Sequence, residues 1–429
     1  MSVRIVIPRR FSISLAQVCT VVCVAFFLAI PAWGGGRTKI LYRPKPSQGA
    51  HFWGTMVFDS AGNLYGTTQQ GGIIPCGPQQ GCGTVFELSP QPDGTWTPQV
   101  LYQFNGGTDG ELVYSGVILD SAGNLYGTTS SGGNVQNGGY GYGTAYQLSP
   151  GANGWTETLL HTFALQAGDG EYSVGPLTFD QSGNLYGTTY QGLTPCGYGT
   201  VYQLSPNRQG GWTENILHCF DGGNSDGTYP SAGVIFDAAG NLYSTTYLGG
   251  PNGDGTVFEL SPSGGSWTED ILYDFGPGAP EVYPYASLVR DKSGNLYGIF
   301  YGGVFELTPS GGGWTYSTIY QTQPGLHSVA PNSLIIDEAG NLYGTAEGGS
   351  SSNCRGGGCG AVFKLTHREK GWQMIVLHNF PGGAGGADPY GALVRDQEGN
   401  LYGTTYDGGR KGCRDGGCGV VFEIPAKPE

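Results

Sequence analysis

Gly62-Asn63-Leu64-Tyr65-Gly66-Thr67-Thr68 returns six more times, lightly edited, in copies that open at Gly123, Gly183, Gly240, Gly294, Gly340 and Gly399. A motif recurring every few tens of residues fixes architecture before any single residue is weighed. An aspartate stands three residues ahead of each copy: Asp59, Asp120, Asp180, Asp237, Asp291, Asp337 and Asp396. Asp-x-x-Gly-Asn suits a tight hairpin, in which the carboxylate bonds back to the backbone and glycine takes positive φ.

Around this turn each repeat holds four β-type runs. Run a ends on the aspartate, as in Met56-Val57-Phe58-Asp59, and run b is Leu-Tyr-Gly-Thr-Thr. Run c is typified by Gly83-Thr84-Val85-Phe86-Glu87-Leu88, and run d by Trp96 through Phe104. Further run d copies open at Trp155, Trp212, Trp267, Trp314 and Trp372. Leu and Tyr are adjacent in run b, and Val and Phe in run c. Both faces of each sheet are therefore apolar, as in a sheet packed between two others. Helical periodicity is absent beyond the N-terminal segment.

Seven copies of runs a to c stand against six of run d. The missing strand is at the other end, where Thr38-Lys39-Ile40-Leu41-Tyr42 matches Thr158-Leu159-Leu160-His161. Joining that strand to the last repeat closes a ring and leaves no unpaired edge at the chain ends. The expected fold is all-β, one seven-bladed β-propeller of four antiparallel strands per blade with three-plus-one closure. Its blades span about 55–104, 116–163, 176–220, 233–275, 286–320, 332–380 and 391–424 plus 38–42.

Residues 1–34 read as a secretory signal peptide, with Arg4, Arg9 and Arg10 ahead of an apolar run and Ala32-Trp33-Gly34 as the cleavage site. The rival reading is an uncleaved anchor helix. With residues 35–429 forming the propeller, the expected location is periplasmic or extracellular, without a membrane span after cleavage. A net charge of −14 repels nucleic acid and anionic lipid.

The composite Leu-Tyr-x-Phe-x-Gly-Gly, then Asp-x-x-Gly-Asn-Leu-Tyr-Gly-Thr-Thr, then Gly-Thr-Val-Phe-x-Leu resembles the GloVer tandem repeat of choice-of-anchor exported bacterial proteins. That resemblance implies an exported repeat protein, often tethered through a C-terminal anchor. Here the chain ends on Pro425-Ala426-Lys427-Pro428-Glu429, which departs from a sorting tail. The family lends no established activity.

Eight cysteines follow residue 34, an even number. Cys76–Cys82, Cys354–Cys359 and Cys413–Cys418 read as short bridges in the loops between runs b and c. Cys196–Cys219 follows by elimination. The alternative is a metal site, although Cys-x4-Cys is not the usual zinc spacing. His161, His218 and His378 share one repeat position with Tyr102, Tyr273 and Tyr320, which reads as scaffold. No catalytic triad, phosphate loop or His-Glu metal motif is present, so no catalytic residue and no metal ligand is assigned. Calcium is a weak possibility in Asp221-Gly-Gly-Asn-Ser-Asp226, which fits no EF-hand; no other cofactor is implied.

The a–b turns are uniform, whereas the b–c and d–a connections vary, and variable loops on one face are where function is expected. Six positions ahead of the turn aspartates, at the expected channel mouth, stand Trp53, Tyr114, Tyr285 and Tyr390, with Val174, Ser231 and Pro331 completing the set. A second aromatic ring, at the exit of run b, comprises Tyr190, Tyr247, Tyr301 and Tyr406, and Asp109, Asp169, Asp226 and Asp388 add polar groups. Such a surface suits stacking against a sugar or peptide; the competing reading is that the aromatics only fill blade junctions. The functional expectation is a non-catalytic exported module binding a glycan or protein. Alternatives are a propeller hydrolase or lyase acting on polysaccharide or lactone, and a purely structural surface repeat.

Overall fold

The computed structural model describes residues 38–74, 76, 81–133, 141–223, 225–276, 283–322, 330–348, 354, 358–413 and 416–426; the expected signal peptide, residues 1–34, lies outside them. Seven sheets of antiparallel strands form a ring, a seven-bladed β-propeller. In blade 1 the strands a to d are Val57–Phe58, Leu64–Thr68, Thr84–Pro90 and Trp96–Gln103, hydrogen-bonded in that order. Blade 7 takes strands a to c from Val394–Arg395, Leu401–Thr405 and Val420–Ile424, and its outer strand is Lys39–Tyr42 from the other end of the chain. Lys39 pairs with Glu423 and Ile40 with Phe422. Among the described residues no helix is long and apolar enough to cross a membrane.

The repeated turn explains the repeated words. Asp59 Oδ1 accepts hydrogen bonds from the N–H groups of Ala61 and Asn63, at 2.9 and 2.8 Å. Its Oδ2 accepts from Asn63 Nδ2 at 2.8 Å and from the Tyr65 hydroxyl at 3.2 Å. Gly62 sits at φ +87°, which a side chain would resist. The tyrosine-to-aspartate bond recurs in all seven blades. Gly66 is needed for another reason: a Cβ there would lie 2.6 Å from the Phe86 ring of strand c.

Seven apolar seams, one per blade junction, form the core. Val85 and Phe86 are both buried but face opposite neighbours, Val85 toward blade 2 and Phe86 toward blade 7. Removing a Phe side chain from water contributes about 2–3 kcal/mol. Six strand-d tryptophans pack edge-on against the strand-b tyrosine of the preceding blade, as Trp155 does on Tyr65 and Trp96 on Tyr402. The first threonine of strand b reaches across the same junction: Thr67 Oγ1 donates to the Ser115 carbonyl at 2.8 Å, and Thr188 to that of Ala232 at 2.8 Å.

Every c–d strand pair, the closing pair included, carries a register shift at the same place. In blade 1 it falls where Val85 pairs Tyr102 while Phe86 pairs Val100. The unpaired residue, Leu101, is buried, and the bulge re-aims Tyr102 toward the next blade.

Candidate functional site at the channel mouth

The d–a and b–c connections lie on one face, around the opening of the central channel. A cavity of about 200 Å³ sits in that mouth. It is lined by Trp53, Tyr114, Val174, Ser231, Tyr285 and Tyr390, with Asn332 from blade 6. These side chains converge because each stands immediately before a strand a, the innermost strand of its blade.

The aromatics are not evenly spread. Trp53 stacks on Tyr390 with ring centroids 4.5 Å apart and planes 21° from parallel. Tyr114 meets the indole edge-on at 5.4 Å, and Tyr406 does so at 5.6 Å. The indole remains 37% exposed, an unusual fraction for a ring in so many contacts. Burial pushes the Tyr285 and Tyr390 hydroxyls well above the usual phenol range, so both stay neutral donors at physiological pH.

A second tier surrounds the mouth. His51, Leu112, Tyr172, Tyr229 and Asp388 occupy one repeat position, and all five adopt the left-handed region at φ 55–60°. A non-glycine residue there costs about 1–2 kcal/mol. Two backbone hydrogen bonds offset the cost: Tyr229 N–H donates to the Tyr198 carbonyl of blade 3 at 2.8 Å, and its carbonyl accepts from Tyr247 N–H at 3.2 Å. The other four positions repeat this clip between blades.

Several side chains at this repeat position meet the residue at the exit of the preceding blade's strand b. Tyr229 stacks on Tyr190 at 4.9 Å, Tyr283 on Tyr247 at 5.1 Å, and His51 lies 4.3 Å from Tyr406. Tyr301 is 65% exposed. At the junction of blades 6 and 7 the corresponding pair is acidic, Glu347 and Asp388. Desolvation first, and then the Asp388 charge, raise the Glu347 carboxyl, which is also hydrogen-bonded to the Tyr390 hydroxyl. Desolvation raises Asp388 as well.

The other three loop aspartates do not face the mouth. Asp109, Asp169 and Asp226 are buried in blade junctions. Asp109 accepts from the Tyr102 hydroxyl at 2.9 Å, and Asp169 and Asp226 each lie 3.2 Å from a histidine Nε2, His161 and His218. Each also accepts a loop N–H, such as that of Leu165 at 2.9 Å. In place of the expected polar groups near the open face, these carboxylates are tied to the strand d that precedes each of them. Asp388 stands at a different repeat position, that of the left-handed residues, and the strand-d histidine of its blade, His378, meets Thr38 instead.

The cysteines form Cys76–Cys82, Cys196–Cys219, Cys354–Cys359 and Cys413–Cys418. All four bridges lie on the loop-rich side. In the Asp221–Asp226 loop the carboxylates already serve the backbone, with Gly223 N–H donating to Asp221 Oδ1 at 2.7 Å and Asp221 N–H to Asp226 Oδ2 at 3.0 Å. Residue 224 of that loop lies outside the described residues.

The repeat that builds this mouth matches a single family description, the Gloeobacter/Verrucomicrobia repeat, over residues 27–192, 134–304 and 300–429. The chain belongs to that family. In this Gloeobacter/Verrucomicrobia repeat protein the family pattern covers every blade, and with it both tiers of the mouth. No curated protein matches the sequence.

Solved structures share the fold at low identity. One is described as the extracellular domain of a hybrid two component system, BT4673, of B. thetaiotaomicron: 12% identity, TM-score 0.54, covering 90% of this chain and 39% of the other. The BT3049 extracellular domain from the same organism gives 13% identity and TM-score 0.53, covering 91% and 41%. The chain thus spans about two fifths of these sensor domains. A structure described as a 6-phosphogluconolactonase from Bacteroides uniformis gives 12% identity and TM-score 0.50, covering 80% and 88%. Likeness at this level shows the fold alone. Four disulfides are consistent with export, since such bonds persist outside the reducing cytoplasm.

Proposed function

We propose that this repeat protein is an exported, non-catalytic binding module that takes the terminal residue of a glycan in its channel mouth. The observation that carries the reading is the exposed indole of Trp53, held rigid between Tyr390 and Tyr114. A sugar ring stacks on such a face while the mouth's hydroxyl and amide groups, Ser231 and Asn332, reach its oxygens. A cavity of about 200 Å³ is below the size that encloses a drug-sized ligand. It suits one ring, or one side chain of a protein partner, with the rest of the ligand lying across the outer tier. An oligosaccharide array tests this directly: binding that Trp53→Ala and Tyr285→Ala weaken supports it, and binding indifferent to both overturns it.

A hydrolase is the second reading, and one feature favours it. Glu347 and Asp388 place two carboxyls raised by desolvation beside the Tyr390 hydroxyl at the rim, the kind of pair that acid–base hydrolysis uses. Turnover of polysaccharides or lactones that Glu347→Gln abolishes, with binding retained, would establish it over the first.

A further inference from the structure

Away from the mouth, the junction of blades 2 and 3 brings three donors together from three elements. His161 lies on strand d of blade 2 (Gly154–Thr162), Asp169 in the following loop, and Glu214 on strand d of blade 3 (Trp212–Cys219). His161 Nε2 is 3.2 Å from Asp169 Oδ1 and 3.6 Å from Glu214 Oε2. The next junction repeats the set: His218 Nε2 is 3.2 Å from Asp226 Oδ1 and 3.7 Å from Glu269 Oε2. We propose that His161, Asp169 and Glu214 hold a divalent metal ion of the zinc or manganese class, and that His218, Asp226 and Glu269 hold a second.

The distances favour a shared ion over a histidine clasped by two carboxylates. A contact of 3.6 Å is too long for a hydrogen bond. It is close to the edge of a coordination polyhedron, since ligands about 2.1 Å from an ion stand about 3.0–3.4 Å apart. In each set the donor atoms all lie within 4.8 Å of one another. Charge points the same way, because two carboxylates with a neutral imidazole match one divalent ion.

Glu214 is the buried third donor. Its side chain is only 5% exposed, and its Oε1 has no hydrogen-bond partner. A buried carboxylate oxygen without a partner costs about 1–3 kcal/mol or more; bidentate ligation would satisfy it. The surroundings hold the donors in place. Phe163 meets the His161 ring edge-on at 4.9 Å, and Leu165 N–H fixes the other oxygen of Asp169. Imidazole with two carboxylates suits zinc or manganese better than calcium. At the junction of blades 1 and 2 a tyrosine replaces the histidine: Tyr102 donates a hydrogen bond to Asp109, and Glu157 keeps the same unpartnered Oε1, so the histidine is what distinguishes the two candidate sites.

The experiment is calorimetric titration of the untagged, EDTA-dialysed full chain with zinc chloride and with manganese chloride, alongside elemental analysis. Two ions per chain are expected for the parent, one for His161→Ala, one for Glu214→Gln, and none when His161→Ala is combined with His218→Ala. Far-UV circular dichroism certifies that each variant is folded, and the Glu214→Gln variant serves should His161→Ala fail that check. Absence of binding tighter than about 10 µM, or a stoichiometry that both substitutions leave unchanged, overturns the assignment.

Discussion

Trp53 of the first blade lies flat against Tyr390 of the last, their ring centroids 4.5 Å apart. More than three hundred residues of chain separate them, and the pair exists only because the ring closes. The strand Lys39–Tyr42 makes that closure by pairing with Val420–Ile424. The candidate ligand platform is therefore a product of the closing blade.

The first prediction follows from that dependence. Ile40 packs against the apolar seam between blades 6 and 7, so Ile40→Asp places a charge where the ring is latched. It should destabilise the protein by about 2–4 kcal/mol. Urea unfolding measures the loss, and near-ultraviolet circular dichroism should show that the Trp53–Tyr390 couplet weakens with it. A variant with parental midpoint and spectrum would refute the latch.

Tryptophans at two positions should behave oppositely. Trp53→Ala removes the exposed platform, and ligand affinity should fall at least tenfold while the unfolding midpoint moves little. Trp155→Ala empties part of the seam against Tyr65; it should cost about 2–4 kcal/mol of stability and leave affinity nearly intact. Binding isotherms and denaturation curves on the same two preparations separate the roles.

The turn aspartates predict an acid limit. Partial burial pushes the Asp59 carboxyl up, but the bonds from Asn63, Ala61 and Tyr65 outweigh it and hold the pKa below the usual carboxylate range. Asp120, Asp180, Asp237 and Asp337 are lowered in the same way. A depressed folded pKa means that the stabilisation is present above the unfolded value, near 3.9, and is lost as pH falls through the folded one. Stability should therefore drop progressively below about pH 4. Asp59→Ala should cost about 1–2 kcal/mol at pH 7, and Asp59→Asn less, because an amide oxygen still accepts from the turn; thermal scans at pH 3 to 7 read both effects.

Glu157 predicts the reverse slope. Desolvation first, and then the Asp109 charge, push its carboxyl up to about 7, and its Oε1 is buried without a hydrogen-bond partner. Between about pH 4.5 and 7 the folded state holds a proton that the unfolded state has released, so this group's contribution falls as pH rises and levels off above 7. Glu157→Gln should remove that slope and stabilise the protein at pH 8 by about 1–2 kcal/mol, solvent access to the carboxyl having been discounted. Unchanged pH dependence in the variant would contradict the assignment.

Much of this architecture was legible in the sequence. The Asp59-to-Gly62 turn uses contacts within a few residues, so its words could be read one copy at a time. The missing run d, matched by Thr38–Tyr42, was enough to infer closure, and the four aromatics ahead of strand a do line the mouth cavity. Other features left no mark. The left-handed clip is built by backbone hydrogen bonds and tolerates His51, Leu112, Tyr172, Tyr229 and Asp388 alike, so no residue type announces it. The motif tyrosine was taken as a packing residue, yet its hydroxyl also closes the turn on the aspartate.

The Gly-Asn-Leu-Tyr-Gly-Thr-Thr repeat by itself determined the blade, its number and its closure, because local turn chemistry and strand alternation are written in adjacent residues. Only the tertiary structure decided which loop carboxylates face the channel and which are buried between blades. Asp109, Asp169 and Asp226 stand eleven residues ahead of their turn aspartates, and Asp388 stands eight ahead of Asp396. The strand-d tyrosine or histidine meets the first three, whereas Asp388 takes the left-handed position and His378 of its blade meets Thr38, and a buried carboxylate goes where a donor can meet it.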